Sequence, residues 1–417
     1  MNSCPPLQIH IKSPRFIATF IVTAMLFALG QFHRSSGSIL SSVFAEQFSL
    51  QPEQIGFVIG IMFIAQAMAQ IPSGVLIDRY GSRKALSGMS MLAALGCILV
   101  ASAHSWTMLI IGRALIGIGF SAAMMGSFRL FAFWVPSQAL TTLTGRYMFF
   151  GLLGGLLATT PLTLMLDQWG WRTVFLIFGI GTATVGGIVA FIVRDTPPGY
   201  QRDTSSPPET LFQVFRGIAT ILRKREIWPI LLAAPLLYTP SQILLGLWAA
   251  PYLADVHDLT PLHRSYCLMF MVAGMSLGAP AYGFIDRRSD TRRRVMIGGA
   301  LTVASAFLAL SFVGQTHWIV ATALSGLICG ASTFFLLILG HAQLMFTSNY
   351  SGRVVSTIGV ISLAGVFVTQ IVSAIILGQF PALDMTASLF GYQVLFALMA
   401  GASVIVAFLC SRLSATL

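Results

Sequence analysis

The chain has 417 residues, 56% of them hydrophobic and 9% charged, with 39 glycines and 31 phenylalanines, and a mean hydropathy of +0.83. A soluble domain carries about 25% charged residues, so this composition excludes an ordinary globular domain and describes a polytopic membrane protein. The formal net charge of +11 suggests nucleic acid only until the cations are located along the chain.

A helix that crosses a bilayer needs roughly 20 mostly apolar residues. In chain order such windows fall at 16–42, 54–77, 85–104, 107–132, 141–166, 172–193, 228–253, 266–286, 294–314, 317–344, 353–378 and 388–411. The fold class is therefore an all-α membrane protein of twelve transmembrane helices. Nineteen of the 24 Lys and Arg lie at the termini or in the even-numbered loops, and the odd-numbered loops hold only Arg172 and Arg264. Positive charge stays on the cytoplasmic side, so both termini are expected in the cytoplasm. The basic excess reports topology, and no nucleic-acid partner is expected. The first apolar stretch is long and lacks a small-residue cleavage site, so it is expected to remain as a helix rather than leave as a signal peptide. The five cysteines, Cys4, Cys97, Cys267, Cys329 and Cys410, have neither metal nor disulfide spacing.

One segment interrupts the apolar rhythm. Residues 194–227 open with Pro, Gly and Ser and then place Leu211, Val214, Phe215, Ile218 and Leu222 on one helical face. This reads as a linker followed by a basic amphipathic helix on the cytoplasmic membrane surface. It divides the chain into a six-helix bundle at 1–193 and a second at 228–417. The halves share a mark: "GVLIDRYGSRKAL" between spans 2 and 3, and "GFIDRRSDTRRRV" between spans 8 and 9. Asp78-Arg79 and Asp286-Arg287 stand at equivalent places 208 residues apart, which argues for two pseudo-symmetric bundles, as in secondary transporters.

Arg34, Arg113 and Arg129 are the only Lys or Arg within the spans proper, away from their ends, and none of the 13 acidic residues lies there, Asp78, Asp255 and Asp286 standing at span ends. An ionisable residue at depth costs about 2.5–3.5 kcal/mol or more and is a functional candidate by default. Three cations with no carboxylate at depth call for carbonyls, water or an anion arriving from outside. On span 1, Gln31, Arg34, Ser35, Ser38 and Ser42 form a polar stripe that lipid would not tolerate. Arg113 and Arg129, sixteen residues apart on span 4, stand roughly 24 Å apart and cannot share one small substrate. Arg113 has an equal alternative in bonding carbonyls of a neighbouring helix, and Arg129 in snorkelling to the surface. From the opposing half, Tyr238 and Gln242 of span 7 are expected to close the site, with His341, Thr369 and Gln370 nearby. His33 and His341 are the only groups at depth that titrate near physiological pH. A bound anion beside His33 would favour a proton on its ring and so link substrate to proton. The alternative is that His33, about 100° around the helix from Arg34, bonds a neighbouring span.

The loop Gly74-x-Leu76-x-Asp78-Arg79-x-Gly81-x-Arg83-Lys84 resembles the loop 2–3 signature of the major facilitator superfamily, and "LIIGRALIGIG" (109–119) resembles its span-4 motif, with Arg113 the basic residue. The resemblance implies that Asp78, Arg79, Gly81 and Arg83, with Asp286 and Arg287 in the second half, form a gating latch that favours the outward-open state. Physically, Asp78 at a helix end can face a neighbouring helix's positive N-terminus while Arg79, Arg83 and Lys84 meet anionic headgroups. "HRSSGSIL" and "RLFAFWVP" are similar to the anion:cation symporter branch, which implies that Arg34 and Arg129 bind a substrate carboxylate. His33 stands where that branch has an Asp, and Ser137-Gln138-Ala139-Leu140 lacks its acidic-basic pair.

The expected function is proton-coupled uptake of a small organic anion by alternating access. The expected protein is a monomer in a bacterial inner membrane, without cofactor or metal. Drug or siderophore-like efflux is an alternative, disfavoured because "GLLGGLLATTP" in span 5 lacks the Gly-Pro pair of drug antiporters. A non-transporting sensor is another, disfavoured by short termini. No nucleotide loop, metal cluster or nucleophile-base arrangement suggests an enzyme.

Overall fold

The structure, a computed structural model, describes residues 13–197, 211–288, 292–313, 317–346, 348–380 and 385–413. Eleven helices among them are long and apolar enough to cross a membrane. Span 5 completes the twelve: its helix Ser137–Leu157 breaks at Ala158 and Thr159 and continues into the helix Thr160–Ile192. That second helix reverses at Gly170, whose φ of 71° only glycine adopts freely. Residues 160–169 therefore finish span 5, and 171–192 form span 6.

The two bundles repeat one packing plan. In the first, span 1 packs on span 5, span 2 on span 4 and span 3 on span 6. In the second, span 7 packs on span 11, span 8 on span 10 and span 9 on span 12. Adding six to each number converts one set into the other, which is what a duplicated six-helix unit requires. Spans 2 and 11 run against each other and join the bundles.

Four spans are broken near their middles, and they are the first and fourth of each bundle. Span 1, expected as one helix over 16–42, consists of Pro14–Ser35 and Gly37–Phe48, offset at Ser36. Span 4 is Trp106–Phe120 followed by Ala123–Trp134. Span 7 passes through Trp228–Leu237, Thr239–Ile243, a π-helical stretch Leu244–Trp248, and Ala249–Asp255. Span 10 is Trp318–Ala331 and Phe335–Leu344 around a 3-10 turn at Ser332–Phe334. Pro235 and Pro240 explain span 7, since each removes a backbone donor. At the other breaks hydroxyls take up freed carbonyls, as a dry interior demands. Ser36 Oγ donates to His33 O (3.2 Å) and Ser121 Oγ to Ile118 O (2.6 Å).

The end of the molecule that carries Asp78 and Asp286 is called the basic end below, and the opposite one the far end. At the far end spans 1 and 7 meet closely. Ser38 Oγ accepts the Ala250 N–H (2.8 Å) and Ser41 Oγ donates to Leu247 O (3.3 Å). Gly37 lies so close to Gly246 that a methyl group on it would enter the Gly246 carbonyl oxygen. Ser265 of span 8 donates to Thr160 Oγ1 (3.2 Å) beside them. At the basic end, the linker helix Leu211–Arg223 buries Ile221 and sets Gly217 against the Arg353 side chain of span 11. Linker residues 198–210 lie outside the described residues.

Candidate functional site

Arg34 stands on the last turn of the first helix of span 1, two residues before its break. Its Nε donates to Gln66 Oε1 of span 2 (3.2 Å) and its Nη1 to Gln31 Oε1 one turn earlier (3.1 Å). Both acceptors are neutral, and no described carboxylate pairs with Arg34. Three of its five N–H protons, one on Nη1 and two on Nη2, have no protein acceptor among the described residues. The guanidinium is thus braced along one side while the Nη1–Nη2 end remains, which is the geometry a carboxylate fills with two parallel hydrogen bonds. Gln66 is a site residue that the sequence reading does not single out; the pair Gln66 and Gln70 in the otherwise apolar stretch "FIAQAMAQ" is the available signal.

The expected residues of the opposing half lie at the seam between bundles. Tyr238 packs edge-on to Phe335 of span 10. Gln242 of span 7 and Gln370 of span 11 are buried, and their carboxamides converge on Gly246. The Gln242 Oε1 and the Gln370 Nε2 are each 3.2 Å from where a Cβ on that glycine would be. Gln370 Oε1 is likewise 3.1 Å from a Cβ built on Gly60 of span 2. Neither oxygen, nor the Gln370 nitrogen, has a hydrogen-bond partner. Ser38, by contrast, is spent on the far-end seam, and Thr369 bonds back to Gly365 O (2.8 Å) within its own helix.

His33 is not beside the Arg34 guanidinium as expected. The 100° step along the helix turns its ring into the first bundle, where it is fully buried among Phe32, Phe120, Phe175 and Phe178. Its Nε2 meets Cys97 Sγ at 3.4 Å and its Nδ1 has no partner. Arg113 occupies the same interior at 0% exposure, with Nη1 donating to His33 O (3.5 Å). This is the neighbouring-helix carbonyl contact weighed for Arg113, while its Nε and Nη2 have no hydrogen-bond partner among the described residues.

Arg129 also departs from expectation, because it has a carboxylate partner. Its Nη1 donates to Asp78 Oδ1. Asp78 therefore meets a side-chain cation of span 4: spans 2 and 4 pack together and bring both residues to the basic end. The rest of the loop is fastened to the end of span 6. Arg83 donates its backbone N–H to Asp195 Oδ1 (2.9 Å) and its Nε to Ala190 O (2.5 Å). Gly81 turns with φ 84° against the Asp195 carboxylate, and Arg79 stacks its cation on the Tyr80 ring. A crevice lined by Gly81, Ser82, Arg129, Phe133, Asp195 and Thr196 opens beside the pair.

The second bundle varies this arrangement. Asp286 accepts from Arg292 Nε (2.9 Å) and Nη2 (2.7 Å), so its partner comes from the start of span 9. His341, on span 10 and 212 residues after Arg129, holds the place corresponding to Arg129 but makes no such bond. It is buried, its Nε2 has no partner, and Arg292 lies beside the adjacent Gly340. Arg287 lies in the helix Pro261–Arg288. The four described cysteines are free and buried.

Comparison with known proteins adds three findings. The family model described as Major Facilitator Superfamily matches residues 16–370. A probable sulfoacetate transporter of Cupriavidus necator is 24% identical over 369 residues, covering 86% of this chain and 85% of its own, and a nitrate/nitrite transporter of Picosynechococcus is 29% identical over 219 residues, covering 45% and 39%. Among solved structures, a bacterial homologue of the human lysosomal transporter Spinster superposes with a TM-score of 0.78 at 18% identity, covering 97% of this chain and 98% of its own.

Proposed function

The chain belongs to the Major Facilitator Superfamily and works as a secondary transporter of that type, not as an enzyme, and we propose that its cargo is a small organic anion taken up by alternating access. The observation that carries this reading is Arg34: a cation at span depth, braced by two glutamine oxygens, with its bidentate end left for an anion. Holding an unpaired cation there costs free energy that a functional ligand offsets. The two relatives named above are titled for anions, one organic and one inorganic, which supports an anionic cargo.

We assign the basic end and both termini to the cytoplasm, on the distribution of Lys and Arg. The conformation then reads as open to the cytoplasm. What supports this is the closure of the far end, where Gly37 meets the Gly246 carbonyl and Ser38 accepts the Ala250 N–H, and where every residue of span 7 from Thr239 to Ala250 is buried.

Flux into proteoliposomes tests the reading, with labelled organic anions inside and out. Arg34→Ala is expected to lose anion transport while folded protein remains in the membrane. A charged hydrogen bond contributes about 1.5–3 kcal/mol, so affinity falls roughly tenfold to over a hundredfold. Arg34→Lys rescues poorly, because a point charge cannot make the bidentate contact. Unchanged flux in Arg34→Ala sinks the anion-site assignment. Binding without flux in the wild-type protein would favour a sensor.

A further inference from the structure

We propose that Pro251 makes the far-end seal an exchangeable hydrogen-bond surface: it frees main-chain groups of span 7 that Ser38 and Ser41 of span 1 bond when that end is shut, and that water bonds when it is open. The proposal rests on the alternating-access reading with the far end closed, and it is independent of the cargo.

The origin lies in the stretch "LLGLWAAPYLAD" (244–255). A proline has no N–H, and its ring crowds the carbonyl four residues earlier, which for Pro251 is that of Leu247. The helix is wide at just this place. Leu244–Trp248 is π-helical, and the Ala249 N–H reaches five residues back to Leu244 O. Two main-chain groups thereby lose their regular partners. Leu247 O can receive no hydrogen from Pro251. The Ala250 N–H would meet Gly246 O in a regular α-helix, but it donates to Ser38 Oγ (2.8 Å), and Gly246 O lies against Gly37 of span 1.

Span 1 supplies the replacements. Ser41 Oγ stands 2.7 Å from Ser38 O of its own helix and 3.3 Å from Leu247 O, so its one proton is shared between two carbonyls. Ser38 and Ser41 are buried, as are Leu247 and Ala250. A buried main-chain group without a partner is strongly disfavoured, which accounts for two hydroxyls at this level of an otherwise apolar seam. The outer part of span 7 is fixed to its own bundle. Trp248 Nε1 donates to Ser373 Oγ of span 11 (2.7 Å), and Asp255 Oδ2 accepts from the Tyr392 hydroxyl of span 12 (2.9 Å). When the bundles part, this segment therefore leaves with the second bundle, and the serine bonds are the ones that break. Water then takes the freed N–H and carbonyl. A neutral hydrogen bond exchanged for one with water shifts an equilibrium only about two- to tenfold. Directional bonds thus fix the register of the closed seam, yet it opens in each cycle more readily than an apolar seam of the same area would.

A double-mutant cycle tests this. Every variant carries Ser265→Cys, a position buried in the same seam against Thr160 of span 5. Opening is read from its rate of modification by a membrane-impermeant maleimide added at the far side of proteoliposomes, with protein lacking that cysteine as the blank. Ser38→Ala strands the Ala250 N–H in the sealed form alone, so labelling should accelerate roughly 5- to 150-fold. Ser41→Ala removes a shared proton and should accelerate it roughly two- to tenfold. Pro251→Ala restores an N–H for Leu247 O and lets the turn close to α, so in that background neither serine substitution should change the rate. Pro251→Ser restores the same N–H and takes its place if Pro251→Ala does not fold. Equal acceleration by Ser38→Ala in both backgrounds would make the serines ordinary contacts and overturn the proposal, as would no acceleration while Pro251 is present. If the cysteine labels at the full rate of an open site with both serines and Pro251 in place, the far end is not closed, and that reading of the conformation falls first and this proposal with it.

Discussion

A single methyl group at Gly37 should move the protein between its two conformations. Built on that glycine, a Cβ stands 2.8 Å from Ile59 Cγ2 and closer still to the Gly246 carbonyl oxygen. Carbon atoms settle at about 3.5–4.0 Å, so spans 1 and 7 must separate by the better part of an ångström or more. Overpacking of that kind costs about 1–3 kcal/mol. The larger part of it, the clash with the Gly246 backbone, falls on the conformation in which the far end is sealed, because spans 1 and 7 part there when the site opens the other way, whereas the contact with the flexible end of Ile59 lies within one bundle and is common to both. The equilibrium should therefore shift roughly 5- to 150-fold toward the far-open form. A cysteine placed at Ser41, within the seam, reports this through its rate of modification by a membrane-impermeant maleimide added at the far side; the four described native cysteines are buried. Gly154→Ala is the control. Its methyl would stand 2.7 Å from Ala28 C, also a backbone clash, but spans 1 and 5 belong to the same bundle. That substitution should lower thermal stability and leave the labelling rate alone. Equal labelling of Ser41→Cys with and without Gly37→Ala would refute the view that this contact seals the far end.

Two further outcomes are expected. Arg129→Ala should reduce the maximal transport rate with little change in apparent affinity, since its partner is Asp78 and not the ligand; the pair is partly exposed, so stability should change by no more than about 1 kcal/mol. A large loss of affinity in rate measurements over a range of anion concentrations would return Arg129 to the binding site. The two histidines should also separate. His341→Gln should exchange anion across the membrane yet fail to accumulate it under an imposed pH gradient, whereas His33→Gln should accumulate normally and melt earlier, its ring being packed among aromatic side chains. Accumulation by His341→Gln equal to the wild type would place coupling elsewhere.

The features legible in the sequence are those that repeat over many residues. Span count and the paired Asp-Arg loops follow from apolar length and from a duplicated motif, and the structure agrees to within a few residues. The break in span 1 is illegible because "HRSSGSIL" contains no proline, and Ser36 and Gly37 are tolerated in a continuous helix. It is the approach of Gly246 from the other bundle that makes Gly37 necessary, and a contact so distant along the chain leaves no local trace. Span 7 is more readable in principle, since Pro235 and Pro240 lie inside it.

The three span arginines make the same point about the site. On sequence they are one residue type within the apolar spans, and Arg34 and Arg129 are the candidate anion ligands. Their environments separate them completely: Arg113 reaches a backbone carbonyl inside a bundle, Arg129 reaches a carboxylate, and Arg34 reaches two neutral oxygens. The partner of Arg129 is hidden in the sequence because Asp78 falls just beyond the apolar window of span 2, although the helix continues to Tyr80 and carries it alongside span 4. Once that pair is removed, the cation balance between the bundles changes from two charges to one. Arg129 thus stands paired with Asp78 at the basic end, while Arg34 stands beside the seam with neutral partners alone, and it is the partners, not the residue type, that distinguish the two.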